Sequence, residues 1–193
     1  MALIKNQFGL YGNMKRTKTE LRQEVRNLNK QYLSPDYHAK ASMVICKKIQ
    51  ELSQFVDARR VALYHALPDE PSLQGLLEEF AKEKELYLPR VDGQDIAFFY
   101  YKGEEGLSVG SYGIEEPEDS AGKAVDPHTL DLIIVPGMAF SPEGIRLGRG
   151  KAYYDRFLPY TNAYLVGVTF AYRLFPEIPH EEWDFPMNRV LTD

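Results

Sequence analysis

The segment Asp131–Gly137, DLIIVPG, constrains this chain most, because its four central residues are apolar at every position. A strand shows successive side chains to opposite faces, so such a run needs cover on both faces and suits the centre of a sheet flanked by helices. AYLVGVTF (163–170) reads the same way. RVALYHAL (60–67) and ELYLPRV (85–91) read as further short strands, and between them Leu73, Leu76, Leu77 and Phe80 recur at helical spacing from Pro71 onward. Strand, helix and strand at this spacing form a right-handed crossover in a parallel sheet.

Two helices precede the first strand. Leu21, Val25, Leu28 and Tyr32 form an apolar stripe from Thr17, with Lys18, Arg22 and Arg26 four apart beside it. Ser34 and Pro35 read as N-cap and first helical residue of a second helix, whose stripe is Ala41, Val44, Ile45, Ile49 and Leu52 and whose end falls near Asp57. IAFFYY, KGEEG and LSVGSYGI read as irregular structure with at most a hairpin, and the stretch from Glu115 to Asp126 reads as a flexible loop. After Gly148 a short helix runs through Tyr154 and Phe157. The fold class is therefore α/β, one three-layer α/β/α domain over 14–193 with a mostly parallel or mixed sheet. Residues 1–13 lack helical periodicity and precede a second methionine, so they read as a dispensable, disordered or expression-derived extension.

Composition narrows the partners. The 193 residues carry a formal net charge of −5, so no global positive field gathers nucleic acid or an anionic membrane surface, and any anion site must be local. Cys46 is the only cysteine, which excludes an intrachain disulfide, and Val44, Ile45 and Ile49 around it suggest burial. No apolar run approaches the roughly 20 residues of a membrane span. A cytoplasmic monomer is the expectation.

The local anion site is sought in MAFSPEGIRLGRGKAYYDRFL (138–158), where Gly148 and Gly150 alternate with Arg149 and Lys151 ahead of a helix. Glycines admit close backbone approach, amides and a helix N-terminus add partial positive charge, and the cations add full charge. The P-loop pattern fails at Ile145 and Ala152, and the dinucleotide fingerprint fails at Tyr153. Tyr153 and Tyr154 offer stacking faces and Asp155 a hard oxygen for magnesium. A solvated turn satisfies the same glycine and cation spacing, so spacing alone leaves the two readings level and the aromatic pair tilts the balance to a ligand site, with core packing as the alternative for one tyrosine of the two.

PGMAFSPEGIRLGRGKAYYDRFL resembles the defining motif of the 5-formyltetrahydrofolate cyclo-ligases. KTELR in the first helix is similar to that family's basic N-terminal signature, and HALPDEPS to its substrate-contacting turn, so the likeness extends from Lys18 to Asp184. It implies an α/β/α enzyme that converts 5-formyltetrahydrofolate and ATP, with magnesium, to 5,10-methenyltetrahydrofolate, ADP and phosphate. It implies Lys18, Arg22, Arg146, Leu147, Gly148, Arg149, Gly150, Lys151, Ala152, Tyr153 and Tyr154 around ATP. Arg149, Lys151 and Tyr153 take the catalytic roles. His65, Glu70, Tyr112 and Tyr153 face the folate, with Glu70 pairing the pterin's ring donors and His65 as pocket lining only. The resemblance implies Asp155 as a magnesium ligand, with Asp184 the weaker metal candidate. Ala152 and Asn188 depart from the family, which commonly has a glycine and an acid there. A phosphorylated-ligand isomerase or transferase of similar fold, and a folate- or nucleotide-binding relative without turnover, are the alternatives.

Overall fold

The computed structural model describes residues 16–110, 113, 115–118, 122–181 and 184–193. Residues 1–13 and Tyr112, both singled out above, lie outside these.

One six-stranded sheet organises the chain. Its interior strands are β1 (Arg60–Ala62), β2 (Glu85–Asp92), β6 (Leu132–Pro136) and β9 (Tyr164–Val168); β3 (Asp95–Tyr100) and β10 (Arg189–Leu191) form its edges, in the order β10-β9-β6-β1-β2-β3. All pairings are parallel except β2 with β3. The apolar run of β6 behaves as its composition requires. Leu132 and Ile134 face one cluster, with Val61, Leu63, Leu86, Leu88 and Val166. Ile133 and Val135 face another, with Ala62, Tyr87, Phe98 and Leu165. Each fully buried aliphatic side chain here contributes roughly 1.5–3 kcal/mol over its exposed state.

The first face is covered by α2 (Pro35–Gln50) through Ile45 and Ile49 and by α4 (Gln74–Phe80) through Leu76 and Leu77. The second is covered by α5 (Tyr153–Phe157) through Phe157 and by Leu158 just after it. Helix α1 (Lys18–Tyr32) starts as its sequence dictates. Thr17 caps the amide of Glu20, whose side chain bonds back to the Thr17 amide. Its Leu21 and Val25 pack on Met138, Ala139, Leu147, Phe175 and Ile178. Among the described residues no helix is long and apolar enough to cross a membrane.

Several expectations are corrected. The second helix stops at Gln50, and a separate turn of helix, α3 (Ser53–Asp57), buries Phe55. Helix α4 begins at Gln74 rather than Pro71. IAFFY (96–100) lies within β3, with Tyr101 just past its end, because Gly93-Gln94 turns the chain, Gly93 at φ +60°, and the hairpin pairs Leu88 with Phe99 and Val91 with Ile96. The hairpin allowed for around LSVGSYGI is present, β4 (Leu107–Val109) pairing antiparallel with β5 (Glu115–Pro117), and this strand takes the start of the stretch read as a flexible loop. Strand β10 was not foreseen. Cys46 is half-buried, its thiol donating to the Ser72 carbonyl at 3.4 Å.

Candidate active site

The glycine-rich run occupies the carboxyl end of β6. Past Pro136 the chain forms a small hairpin of β7 (Ala139–Phe140) and β8 (Arg146–Leu147), closed by a turn in which Gly144 adopts φ +91°. A Cβ there would lie 2.3 Å from the Met187 carbonyl oxygen, so this turn admits only glycine. The hairpin delivers Arg146 and then the loop Gly148–Ala152 to the sheet's end, where ligands of open α/β folds bind. Helix α5 after the loop has five residues, and Ala152 before it is left-handed at φ 56°. The positive charge expected from a helix N-terminus is correspondingly small, so side-chain cations dominate here. Ala152 belongs to the loop, in a conformation that favours glycine.

A cavity of about 170 Å³ opens beside the loop, and Arg146, Gly148, Arg149, Lys151, Ala152, Tyr153 and Tyr154 line it together with His65 and Glu70. The sequence separated these last two from the loop by some eighty residues; folding brings them to one wall.

Arg146, with 8 % of its side chain exposed, anchors the loop. Its Nη2 donates to Asp155 Oδ1 at 2.6 Å and its Nη1 to the Pro136 carbonyl at 3.3 Å, while its guanidinium lies 5.3 Å over the Tyr154 ring. That face of Tyr154 is thus taken by a cation, and its edge meets Phe98 at 6.3 Å. Tyr154 is therefore a buried wall rather than an open stacking platform. Burial, and then the Glu70 charge, push its phenol well above the ordinary range, so it stays neutral.

Glu70 is 5 % exposed. Its Oε2 accepts from the Leu67 amide at 3.1 Å, and its Oε1 accepts from Arg149 Nε at 3.1 Å with Arg149 Nη2 3.0 Å away. Burial pushes the Glu70 carboxyl up, and the Arg149 charge opposes that shift. Arg149 Nη2 also bonds Asp69. Asp69, Tyr64 and Glu116 are further residues at or beside this site that the sequence reading missed. Asp69 was legible as the neighbour of Glu70, and Glu116 as part of SYGIEEP; Tyr64, in an apolar run, carried no signal.

Other expected site residues stand outside the cavity. Leu147 is fully buried against Leu21 and Val25, so its side chain spaces the loop and touches no ligand. Arg22 Nε donates to the Gly148 carbonyl at 2.8 Å and approaches Gly150, which adopts φ +101°. Lys18 Nζ donates to Asp184 Oδ2 at 2.5 Å, and the Glu181 amide donates to the same oxygen at 2.9 Å. Among the described residues no group of three His, Cys, Asp or Glu could hold a metal. Magnesium is often held by one or two carboxylates with substrate phosphates and water completing its shell. Asp155, with one oxygen on Arg146, fits such a substrate-borne ion; Asp184, committed through Oδ2 to Lys18 and a backbone amide, fits it less well.

Three buried polar atoms that lack any hydrogen-bond partner belong to residues lining this cavity: His65 Nδ1, Arg146 Nε and the Tyr154 hydroxyl. Buried polar groups are nearly always satisfied, so three such residues around one cavity set it apart from the rest of the interior. His65 Nε2 lies 3.3 Å from Glu115 Oε2, in keeping with a lining role.

The sequence model of the 5-formyltetrahydrofolate cyclo-ligase family matches residues 14–193. A probable 5-formyltetrahydrofolate cyclo-ligase of Schizosaccharomyces pombe is 31 % identical over 169 residues, covering 78 % of this chain and 83 % of its own. The mouse 5-formyltetrahydrofolate cyclo-ligase is 27 % identical, with 91 % of each chain covered. The NMR structure of a 5,10-methenyltetrahydrofolate synthetase from Aquifex aeolicus superposes with a TM-score of 0.79 at 38 % identity, over 90 % of this chain and 88 % of that one. A 5,10-methenyltetrahydrofolate synthetase of Mycoplasma pneumoniae, 20 % identical with a TM-score of 0.73, shares the fold over 92 % of this chain and 99 % of its own. The strand order, the glycine-rich hairpin loop and the cavity facing Glu70 are thus the features of a chain that belongs to the 5-formyltetrahydrofolate cyclo-ligase family.

Proposed function

We propose that the protein converts 5-formyltetrahydrofolate and ATP to 5,10-methenyltetrahydrofolate, ADP and phosphate. The observation that carries this reading is the cavity in which a buried carboxylate, Glu70, faces the cations of the glycine-rich loop beside three unsatisfied polar atoms. A planar ring with adjacent N–H donors suits Glu70 as a paired acceptor, and a polyphosphate suits Arg149, Lys151 and the loop amides.

The chemistry needs no enzyme nucleophile. The formyl oxygen of the substrate attacks the γ-phosphate of ATP and ADP leaves. The neighbouring anilino nitrogen then closes on the activated carbon, phosphate leaves with the oxygen, and that nitrogen gives up its proton. Positioning and charge stabilisation are the protein's part. Glu70 orients the pterin. Lys151 and Arg149 meet the negative charge on the transferred group, and Lys18 and Arg22 extend the positive surface along the phosphates. Arg146 holds the loop, and Tyr153, beside Lys151, borders both substrates. Asp155 would be the residue to meet a magnesium ion, which would supply charge neutralisation.

The test is ATP-dependent growth of the methenyl absorbance from 5-formyltetrahydrofolate. Arg149→Ala and Lys151→Ala should each lower turnover by roughly 10²-fold, the usual loss for one preorganised charge-stabilising donor. Product without ATP, or unchanged turnover and ATP affinity in both variants, sinks the proposal.

A further inference from the structure

Arg149 and Glu70 cannot both serve their proposed ligands while they are bonded to each other. In the structure the Arg149 guanidinium is committed to carboxylates: Nε and Nη2 to Glu70, and Nη2 again to Asp69. A pterin that pairs with Glu70 competes with Arg149 for the same oxygen.

Asp69 is itself held from behind. Asn29 Nδ2 donates to its Oδ2 at 3.3 Å, and Arg173 Nη2 stands 3.9 Å from that oxygen. Arg173 is completely buried, its guanidinium 5.1 Å over Phe170 and 5.4 Å over Tyr172, with Nε donating to Asn29 Oδ1 at 2.9 Å. Both of its terminal nitrogens lack a hydrogen-bond partner. A buried cation in this state keeps a compensating negative charge beside it, because separating the two leaves an unpaired charge in the interior. Asp69 therefore stays in place when Arg149 moves. Asp69, Glu70, Arg149 and Arg173 sum to zero charge, and departure of Arg149 leaves one negative charge facing the incoming ring donors.

We infer that Asp69 is a positioning residue: anchored by Arg173, it holds Arg149 against Glu70, and folate at Glu70 removes one of the two carboxylates that hold Arg149, so that the phosphates of ATP draw it away more readily. This rests on the function proposed above and adds to it a coupling between the two substrates. Such coupling is reciprocal, so each substrate tightens the other by the same factor.

The experiment is calorimetric titration of the wild type and of Asp69→Asn with a non-hydrolysable ATP analogue, with and without 5-formyltetrahydrofolate. In the wild type, folate should tighten analogue binding roughly five- to tenfold, within the usual range of such couplings. Asp69→Asn should bind the analogue more tightly than the wild type when folate is absent, and folate should then tighten it less than about twofold. Asp69→Glu, which keeps the charge, should restore the larger ratio. A merely structural Asp69 predicts the reverse pattern, weaker binding in the variant with an unchanged ratio. A wild-type ratio of one, or a ratio undiminished in Asp69→Asn, overturns this inference alone, provided that the wild type forms product. A wild type that forms no ATP-dependent product overturns the proposed function and this inference with it.

Discussion

Gly167→Ala should unfold the protein several degrees early, for a reason that connects the central sheet to the glycine-rich loop. Gly167 lies in β9 between Val135 of β6 and Val190 of β10. A Cβ on it would stand 2.4 Å from Phe140 Cε1 and 2.8 Å from Cδ1, far inside the 3.5–4.0 Å of a carbon contact. The Phe140 ring is fully buried and cannot retreat, because a Cβ on Gly137 would lie 2.5 Å from its Cε2. Two glycines thus form a slot for one ring, and Phe140 pairs with Arg146 across the loop-bearing hairpin. Overpacking of this kind costs about 1–3 kcal/mol, and confinement on both sides places this case at about 2–3. Replacing glycine within a strand returns about 0.5–1 kcal/mol, leaving about 1–2.5. For a chain of this size that is a fall in Tm of roughly 2–10 °C, read by circular dichroism. Adding Phe140→Leu should recover part of the loss, since the two positions share one contact. Gly75→Ala, on α4 with nothing within 4 Å of the added carbon, is the control and should not destabilise. A Tm within 1 °C of wild type for Gly167→Ala, or strict additivity in the double variant, refutes the slot.

Two further tests address the loop and its outer ion pair. Ala152→Gly should stabilise the fold by about 0.5–1 kcal/mol, because the left-handed backbone at φ 56° penalises a side chain more than glycine's lost entropy offsets; a lower denaturation midpoint would contradict this. Asp184 is drawn up by its burial, but the Lys18 hydrogen bond and the Glu181 amide carry its carboxyl below the ordinary range. A depressed carboxyl stabilises above the unfolded value near pH 4 and loses that contribution as the pH falls through the folded value, so Asp184→Asn should cost about 1 kcal/mol at pH 7 and almost nothing at pH 2. A gap between the urea midpoints that is equal at both pH values would show that charge is not the cause.

What the sequence made legible was mostly local. Thr17 and Glu20, and Ser34 and Pro35, mark their helix starts through contacts within one turn, and both helices begin where those residues require. The DLIIVPG run demanded two covered faces and has them. The small hairpin of β7 and β8 escaped notice because each strand has two residues, too few for a period. Strand β10 escaped because its three residues become a strand only against β9. The same division runs through the site. Glycines and cations of the loop are contiguous and could be read directly, whereas Arg149 with Asp69 and Glu70, or Lys18 with Asp184, are contacts across 80 and 166 positions. Arg173 was visible as an arginine within the apolar TFAYRLF, yet nothing local said that Asn29 and Asp69 would receive it.

Those distant pairings explain how an acidic chain can gather five cations at one place. Lys18 is held by Asp184, Arg22 by the Gly148 carbonyl, Arg146 by Asp155 and Arg149 by Asp69 and Glu70, while Lys151 has no ion pair among the described residues. Like charges brought together and partly dried repel, and a depressed or mobile cation is a poor phosphate ligand. Pairing all but Lys151 with a carboxylate or carbonyl lessens the repulsion, and on the proposed function it makes phosphate binding an exchange of partners rather than a simple capture. The strength of that exchange depends on how readily each anion gives up its cation. The Arg146 pair, at 8 % exposure and with a backbone carbonyl as well, is the least able to exchange and acts as scaffold. Arg149, with 37 % of its side chain exposed, has the freedom to move, and on the proposed function Glu70 alone among its partners has a substrate ring to bind in its place.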